Sequence, residues 1–224
     1  MIIDRARALV GRFSGLFSLR FDRAPIATAE AMHHFVASRS AFVSQKKLYG
    51  YLKARMGTRY PLLFEDAVFM DSVNVAKVHV FAAALSDLTI HTVARVAVVG
   101  GLTHEESARL ARQCRLAGLA DNEQQLSDMD ARAAWEKAFE ARLAGVHWEN
   151  MAAGGDAFTE SPAALFQWAP IADELKKLDR EIVENSIRFA YGEVTRDFRR
   201  RADVGAIARD WRGEGGAEAG VFAG

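Results

Sequence analysis

The chain is poor in most of what announces a particular chemistry. It has one cysteine, Cys114, in 224 residues. That excludes an internal disulfide and suits a reducing compartment. Its four prolines are Pro25, Pro61, Pro162 and Pro170, so long stretches are free of the residue that most often breaks a helix. No run reaches the roughly 18 to 20 uninterrupted apolar residues of a membrane span. The nearest, Val78 to Val99, holds Asp87, His91 and Arg95. The pentapeptide G-x-S-x-G, which sets a hydrolase serine on a strand–turn–helix, is missing. Gly11 to Gly15 has the wrong spacing, and Ser14 sits on the polar side of its helix.

What is present is ordinary in amount and uneven in placement. Half of the residues are hydrophobic and 26% are charged, as in a globular protein. The most apolar stretch is Leu48 to Val99, and the remainder reads as segments that cover or extend it. The formal net charge is zero, but residues 1–60 carry +8, residues 61–170 carry −7 and residues 171–224 carry −1. A basic front on an acidic body points to an anionic surface as the partner of that front: membrane, nucleic acid or the protein's own body.

Residues 1–21 form an amphipathic pattern at 100° per residue. Ile2, Ile3, Ala6, Leu9, Val10, Phe13, Leu16 and Phe17 share one arc, Arg5, Arg7 and Arg12 lie at its borders, and Arg20 ends the pattern. This is the layout of an interfacial helix, whose apolar face sinks to the acyl boundary while border arginines reach phosphates. Arg12 and Arg20 interrupt any signal-peptide core, and Asp4 and Asp22 speak against a transit peptide. Docking on the protein's own core or on a partner fits the same pattern.

The rest reads as helices. After Pro25, Thr28 caps a helix toward Met56, closed by Gly57 with Pro61 beyond. Residues 62–86 are expected as a buried helix, and Asp87 as the cap of a second one through Val99. The β-branched residues in 73–80 and 93–99 leave a strand open there. Thr103 and Glu106 form a capping box for a helix to about Leu119. Asp121-Asn122 opens another through Trp135, Phe139 and Leu143, and Gly154 to Asp156 marks a loop. Ser161-Pro162 caps a short helix, and Pro170 starts a last long helix to about Arg201. That helix carries one stripe of Ile171, Leu175, Leu178, Ile182, Asn185 and Phe189, and a second of Ile187, Tyr191, Val194 and Phe198. The second can touch two neighbours or a partner. Asp173–Lys177 and Glu184–Arg188 have favourable ion-pair spacing. The expected fold is an all-α bundle of about six to seven helices: a basic arm over 1–22, a helical domain over 26–202 and a flexible tail over 203–224.

Candidate chemical sites are sparse. Glu30-x-x-His33 is half of a di-iron motif whose second half is missing. Asp87 and His91 share a helix face, but a cap and a satisfied histidine explain them, so no metal is expected. Gly100-Gly101 before a helix could hold a phosphate, except that Glu105 and Glu106 would repel it. Cys114 lies between Arg112 and Arg115, which could activate the thiol, although a buried structural thiol is the commoner case. Lys46, Lys47, Tyr51, Lys53, Arg55 and Arg59 mix cations with aromatics. That mixture could serve a nucleic acid, which the neutral whole and the lack of a recognition motif disfavour.

The segment FVASRSAFVSQKKLYGYLKARMGTRYPLLFEDAVFMDSVNVAKVHVFAAALSDL resembles an uncharacterised family of small bacterial proteins, chiefly alphaproteobacterial, whose members often carry the label "esterase". The resemblance covers roughly residues 35–120. It implies a bacterial cytoplasmic setting and, as an alternative activity, ester hydrolysis. It brings no catalytic residues to carry over. The sequence therefore leads to a non-catalytic, cytoplasmic binding or assembly protein without cofactor. Its arm, through Ile2, Ile3, Arg5, Leu9, Val10, Arg12, Phe13, Leu16 and Phe17, would meet an anionic inner-membrane surface or a membrane-protein complex, with a helix–helix partner accommodated along residues 171–198.

Overall fold

A computed structural model describes residues 23–122, 129–154 and 158–214. Among them the protein is all-α, with no strand and a single bridge between Ile26 and Ala202. The helices are α1 (Ala29–Met56), α2 (Tyr60–Leu63), α3 (Ala67–Gly100), α4 (His104–Ala120), α5 (Met129–Ala144), α6 (Trp148–Ala152), α7 (Glu160–Trp168), α8 (Asp173–Lys176), α9 (Arg180–Arg201) and α10 (Val204–Arg212).

The bundle is built around α3. It packs against α1, α4, α6, α7 and α10, while α9 lies on α1 and α7. From Val80 to Ala97 nearly every position of α3 is buried, which is why this is the most apolar stretch of the chain. By length and composition α3 could also cross a membrane, but here those residues form the centre of the core.

The helix starts obey local rules where a cap is available. The Thr28 hydroxyl accepts from Ala31 N at 3.1 Å. Thr103 and Glu106 make both bonds of the capping box, at 3.1 and 2.7 Å. Gly57 and Gly101 stop α1 and α3 at positive φ, 54° and 66°, where a side chain would be strained.

Several expectations are corrected. Residues 62–99 do not divide at Asp87. One helix runs from Ala67 to Gly100, capped by Asp66, whose side chain accepts from Val68 N and Phe69 N at 2.9 and 3.2 Å. Asp87 sits mid-helix, with its carboxylate bonded to another element. Residues 73–80 and 93–99 are helical: Val73, Val80, Val93 and Val96 are buried while Val75, Val98 and Val99 are exposed, a division by helical period that outweighs the β-branched propensity. Asp121 closes α4, and α5 is described from Met129. The last long helix does not start at Pro170: α8 is a single turn, and the chain breaks over 177–179 before α9. Accordingly Asp173 pairs with Lys176 at 3.3 Å, while Glu184–Arg188 forms as expected at 3.2 Å. The body also extends past 202. α10 buries Ile207 and Ala208 against α3, and Arg212 binds Glu106 at 2.9 Å, so the segment from 203 to 213 is part of the bundle.

Candidate functional site

The most concentrated chemistry in the body lies where α3, α5, α7 and α9 meet. Asp87 is fully buried. Its Oδ2 accepts from Ser161 N at 2.8 Å and from Ser161 Oγ at 2.6 Å. Its Oδ1 accepts from Arg142 Nη1 at 2.8 Å and from Glu160 N at 3.2 Å. Glu160 and Ser161 open α7, so Asp87 caps that helix from outside, a role Thr159 does not fill. Lys176 Nζ closes the other end of α7 on the carbonyls of Phe166 and Gln167 at 3.3 and 3.2 Å. An anion at the N-terminus and a cation at the C-terminus both complement the helix dipole. Burial pushes the Asp87 carboxyl upward, and Arg142 and Ser161 oppose that push.

Two aromatic side chains flank this cluster. His91, one turn beyond Asp87, and Tyr191, from α9, are buried. Among the described residues neither the His91 ring nitrogens nor the Tyr191 hydroxyl has a hydrogen-bond partner. Phe158 stacks on Tyr191 with ring centroids 4.3 Å apart and lies 5.2 Å from His91. Burial, Arg199 and Arg95 lower the His91 pKa to about 4. Burial, reinforced by Asp87, drives the Tyr191 phenol far up. Ser161 gives its proton to a carboxylate rather than to an imidazole and is itself fully buried. The arrangement ties four helices together and holds the serine as a donor.

The outer surface of α8 and α9 is different in kind. Val183, Ile187, Tyr191, Val194 and Phe198 face the core. On the opposite side Leu175, Leu178, Ile182 and Phe189 are 60%, 87%, 72% and 78% exposed. The sequence marked both stripes, and the structure buries the second and leaves most of the first open. Beyond Phe189 the same helix presents the exposed Arg196, Arg199 and Arg200. The incoming chain is pinned at this end. Arg201 Nε donates to Ala24 O at 2.9 Å, Ile26 N to Arg201 O at 3.0 Å, and Asp203 N to Ile26 O at 2.9 Å. The arm residues Ile2, Ile3, Arg5, Leu9, Val10, Arg12, Phe13, Leu16 and Phe17 lie outside the described residues.

The mixed basic and aromatic patch is partly committed to the protein itself. Tyr51 donates to Asp179 Oδ2 at 2.8 Å and Arg55 forms a bidentate pair with the same carboxylate. Lys46 lies over the Phe42 ring at 5.5 Å. Burial and the neighbouring Lys46 lower the Lys47 pKa. Lys53 and Arg59 are exposed. Cys114 is buried, accepts weakly from Thr89 Oγ1 at 3.8 Å, and burial raises its pKa to about 12. Arg112 pairs with Glu140 at 2.8 Å, and Arg115 donates to Ala82 O and Trp135 O at 3.1 and 3.3 Å, so neither activates the thiol. His33 is buried, and burial lowers its pKa. Among the described residues no three His, Cys, Asp or Glu side chains gather as a metal site. A cleft of about 210 Å³ opens between α4 and α5, lined by Leu116, Phe139 and the paired Arg112 and Glu140.

Comparison of the chain with protein-family models, with curated proteins and with solved structures finds no match in any of the three.

Proposed function

We propose that the protein is a non-catalytic helical binding or assembly protein that works on an anionic membrane surface, or on a complex held there, and that residues 1–22 carry it to that surface. One observation supports this above the others. The described chain begins at the C-terminal end of α9, where Arg201 Nε donates to Ala24 O, and the last two turns of that helix carry the exposed Arg196, Arg199 and Arg200, while the arm's sequence adds Arg5, Arg7, Arg12 and Arg20. Arginines gathered at the root of an amphipathic segment add electrostatic attraction to apolar insertion, about 1 kcal/mol for each basic residue near an anionic surface.

A hydrolase, the reading the family resemblance implies, would require a serine with access to a base and to substrate. Ser161, the serine of the buried polar cluster, is enclosed and bonded to Asp87. Sedimentation with liposomes tests the proposal. Deleting residues 1–22 should abolish co-sedimentation while leaving the helical circular dichroism of the body unchanged. Undiminished co-sedimentation of the deleted protein would refute it.

A further inference from the structure

The cleft between α4 and α5 has a cation at its base that the body does not balance. Arg115, on α4, is 4% exposed and lines that cleft. It donates from Nη1 to Ala82 O at 3.1 Å and from Nη2 to Trp135 O at 3.3 Å. Its Nε is buried and has no hydrogen-bond partner among the described residues. No carboxylate among them comes within ion-pair distance of it; Glu160 and Glu136 attract it only from farther away. Burial lowers its pKa to about 10, so the guanidinium stays charged at neutral pH. Taking a charge out of water is costly, and buried charges are normally paired for that reason. Arg142 nearby has the buried carboxylate of Asp87. Arg115 has no such partner.

The walls around this charge are apolar. Leu116, Leu119 and Phe139 line a space of about 210 Å³. Phe139 covers one face of the guanidinium, with its ring centroid 4.6 Å from Cζ. The N–H groups point in the guanidinium plane. With both Nη atoms engaged on carbonyls, the Nε edge is the one left for an acceptor. A carboxylate fits such an edge, its two oxygens meeting neighbouring N–H groups.

The acidic residues at the rim are already held. Glu140 accepts three bonds of 2.8 to 3.1 Å from Arg112, and Glu136 accepts one of 3.3 Å from Arg132. The charge of Arg115 therefore dominates inside the cleft. A phosphate dianion would bring more charge than one guanidinium balances and would not use the apolar walls. The space is smaller than the about 300–1,000 Å³ of a drug-sized ligand site, which limits the ligand to a short body.

We propose that the cleft between α4 and α5 binds a small monocarboxylate with an apolar body, its carboxylate on Arg115 and its body on Leu116, Leu119 and Phe139. The site is built by the helical body and does not rest on the membrane reading above.

Isothermal titration calorimetry of the full chain with octanoate, without lipid and below the concentration at which octanoate forms micelles, tests it. One octanoate should bind per chain. Octanol keeps the body and lacks the charge; acetate keeps the charge and lacks the body. Each should bind at least about tenfold more weakly, the worth of one charge-assisted hydrogen bond or of a few buried methylene groups. Leu116→Glu, at a position 53% exposed, sets a further carboxylate in the cleft. It should weaken octanoate about tenfold or more by like-charge repulsion and leave the melting temperature near that of the wild type. Arg115→Met removes the charge and should bring octanoate down to the level of octanol.

Arg115 is buried, so if the methionine variant does not fold, Leu116→Glu decides. Octanoate binding that Leu116→Glu leaves unchanged places the ligand elsewhere on the chain and overturns the site. No binding at millimolar octanoate overturns it as well. Octanol bound as tightly as octanoate overturns the pairing with Arg115.

Discussion

Asp87 and Ser161, 74 positions apart in the chain, meet through two hydrogen bonds of 2.6 and 2.8 Å on one carboxylate oxygen. Arg142 holds the other oxygen. A mid-helix aspartate of α3 therefore starts α7 and anchors α5. Asp87→Ala leaves α7 without its cap and takes the buried carboxylate from Arg142, which keeps Ser86 and Glu160. Loss of one member of a buried pair costs about 3–5 kcal/mol. Denaturant unfolding should show a loss of that size, and a change below about 1 kcal/mol would remove Asp87 from this role.

His91 predicts an acid sensitivity. Its pKa falls from the ordinary 6.5 to about 4 in the fold. Between those values the unfolded chain binds a proton that the folded chain does not, so stability rises with pH across the window. It is complete above about pH 6.5 and is lost as pH drops toward 4, by about 3 kcal/mol in all. The half-buried Glu106, held to about 2 by Arg212 and Thr103, acts in a lower window. Unfolding free energy measured from pH 7 to 4 should fall in the wild type and flatten in His91→Phe. An equal slope in both would assign the effect elsewhere.

Gly118 marks where α4 touches α3. A Cβ there would lie 2.6 Å from Leu85 Cδ1. Gly118→Ala should cost about 1–3 kcal/mol by overpacking, although alanine is the better helix former. In a Leu85→Ala background the same substitution should be neutral or stabilising, since the clashing atoms are gone. Additive losses in the double mutant would show that the contact is not tight.

Tyr51 and Asp179 join α1 to the turn between α8 and α9 at 2.8 Å. Burial and this bond raise the phenol to about 12. Spectroscopic titration should find Tyr51 among the late tyrosines, with the buried Tyr191 later still, and Asp179→Asn should bring Tyr51 partway back toward 10. An unshifted tyrosine in that variant would separate the phenol from Asp179.

What the sequence made legible was local. Thr28, Gly57, Thr103 and Glu106 act within a few residues of themselves, so their roles follow from spacing. The all-α class follows from the same signals. Asp87 was misplaced because its partners come from positions 142, 160 and 161, which no local rule connects to it. A charge in the most apolar stretch did require a buried partner, and that was the available clue. The stripe on α9 was marked by its period, but period does not tell which of two apolar faces turns inward. That depended on α7 and α1. The late break over 177–179 and the return of α10 to α3 likewise follow from tertiary contacts, Tyr51 and Arg55 on Asp179 and Ile207 in the core.

The central claim is that residues 1–22 carry the body to an anionic membrane. Flotation of the full chain and of the chain lacking those residues, with anionic and with neutral vesicles at low and high salt, tests it most directly. The full chain should float with anionic vesicles at low salt, float less at high salt as screening weakens its basic residues, and lose flotation on deletion. Equal flotation after deletion, or none of the full chain with either vesicle, would contradict it.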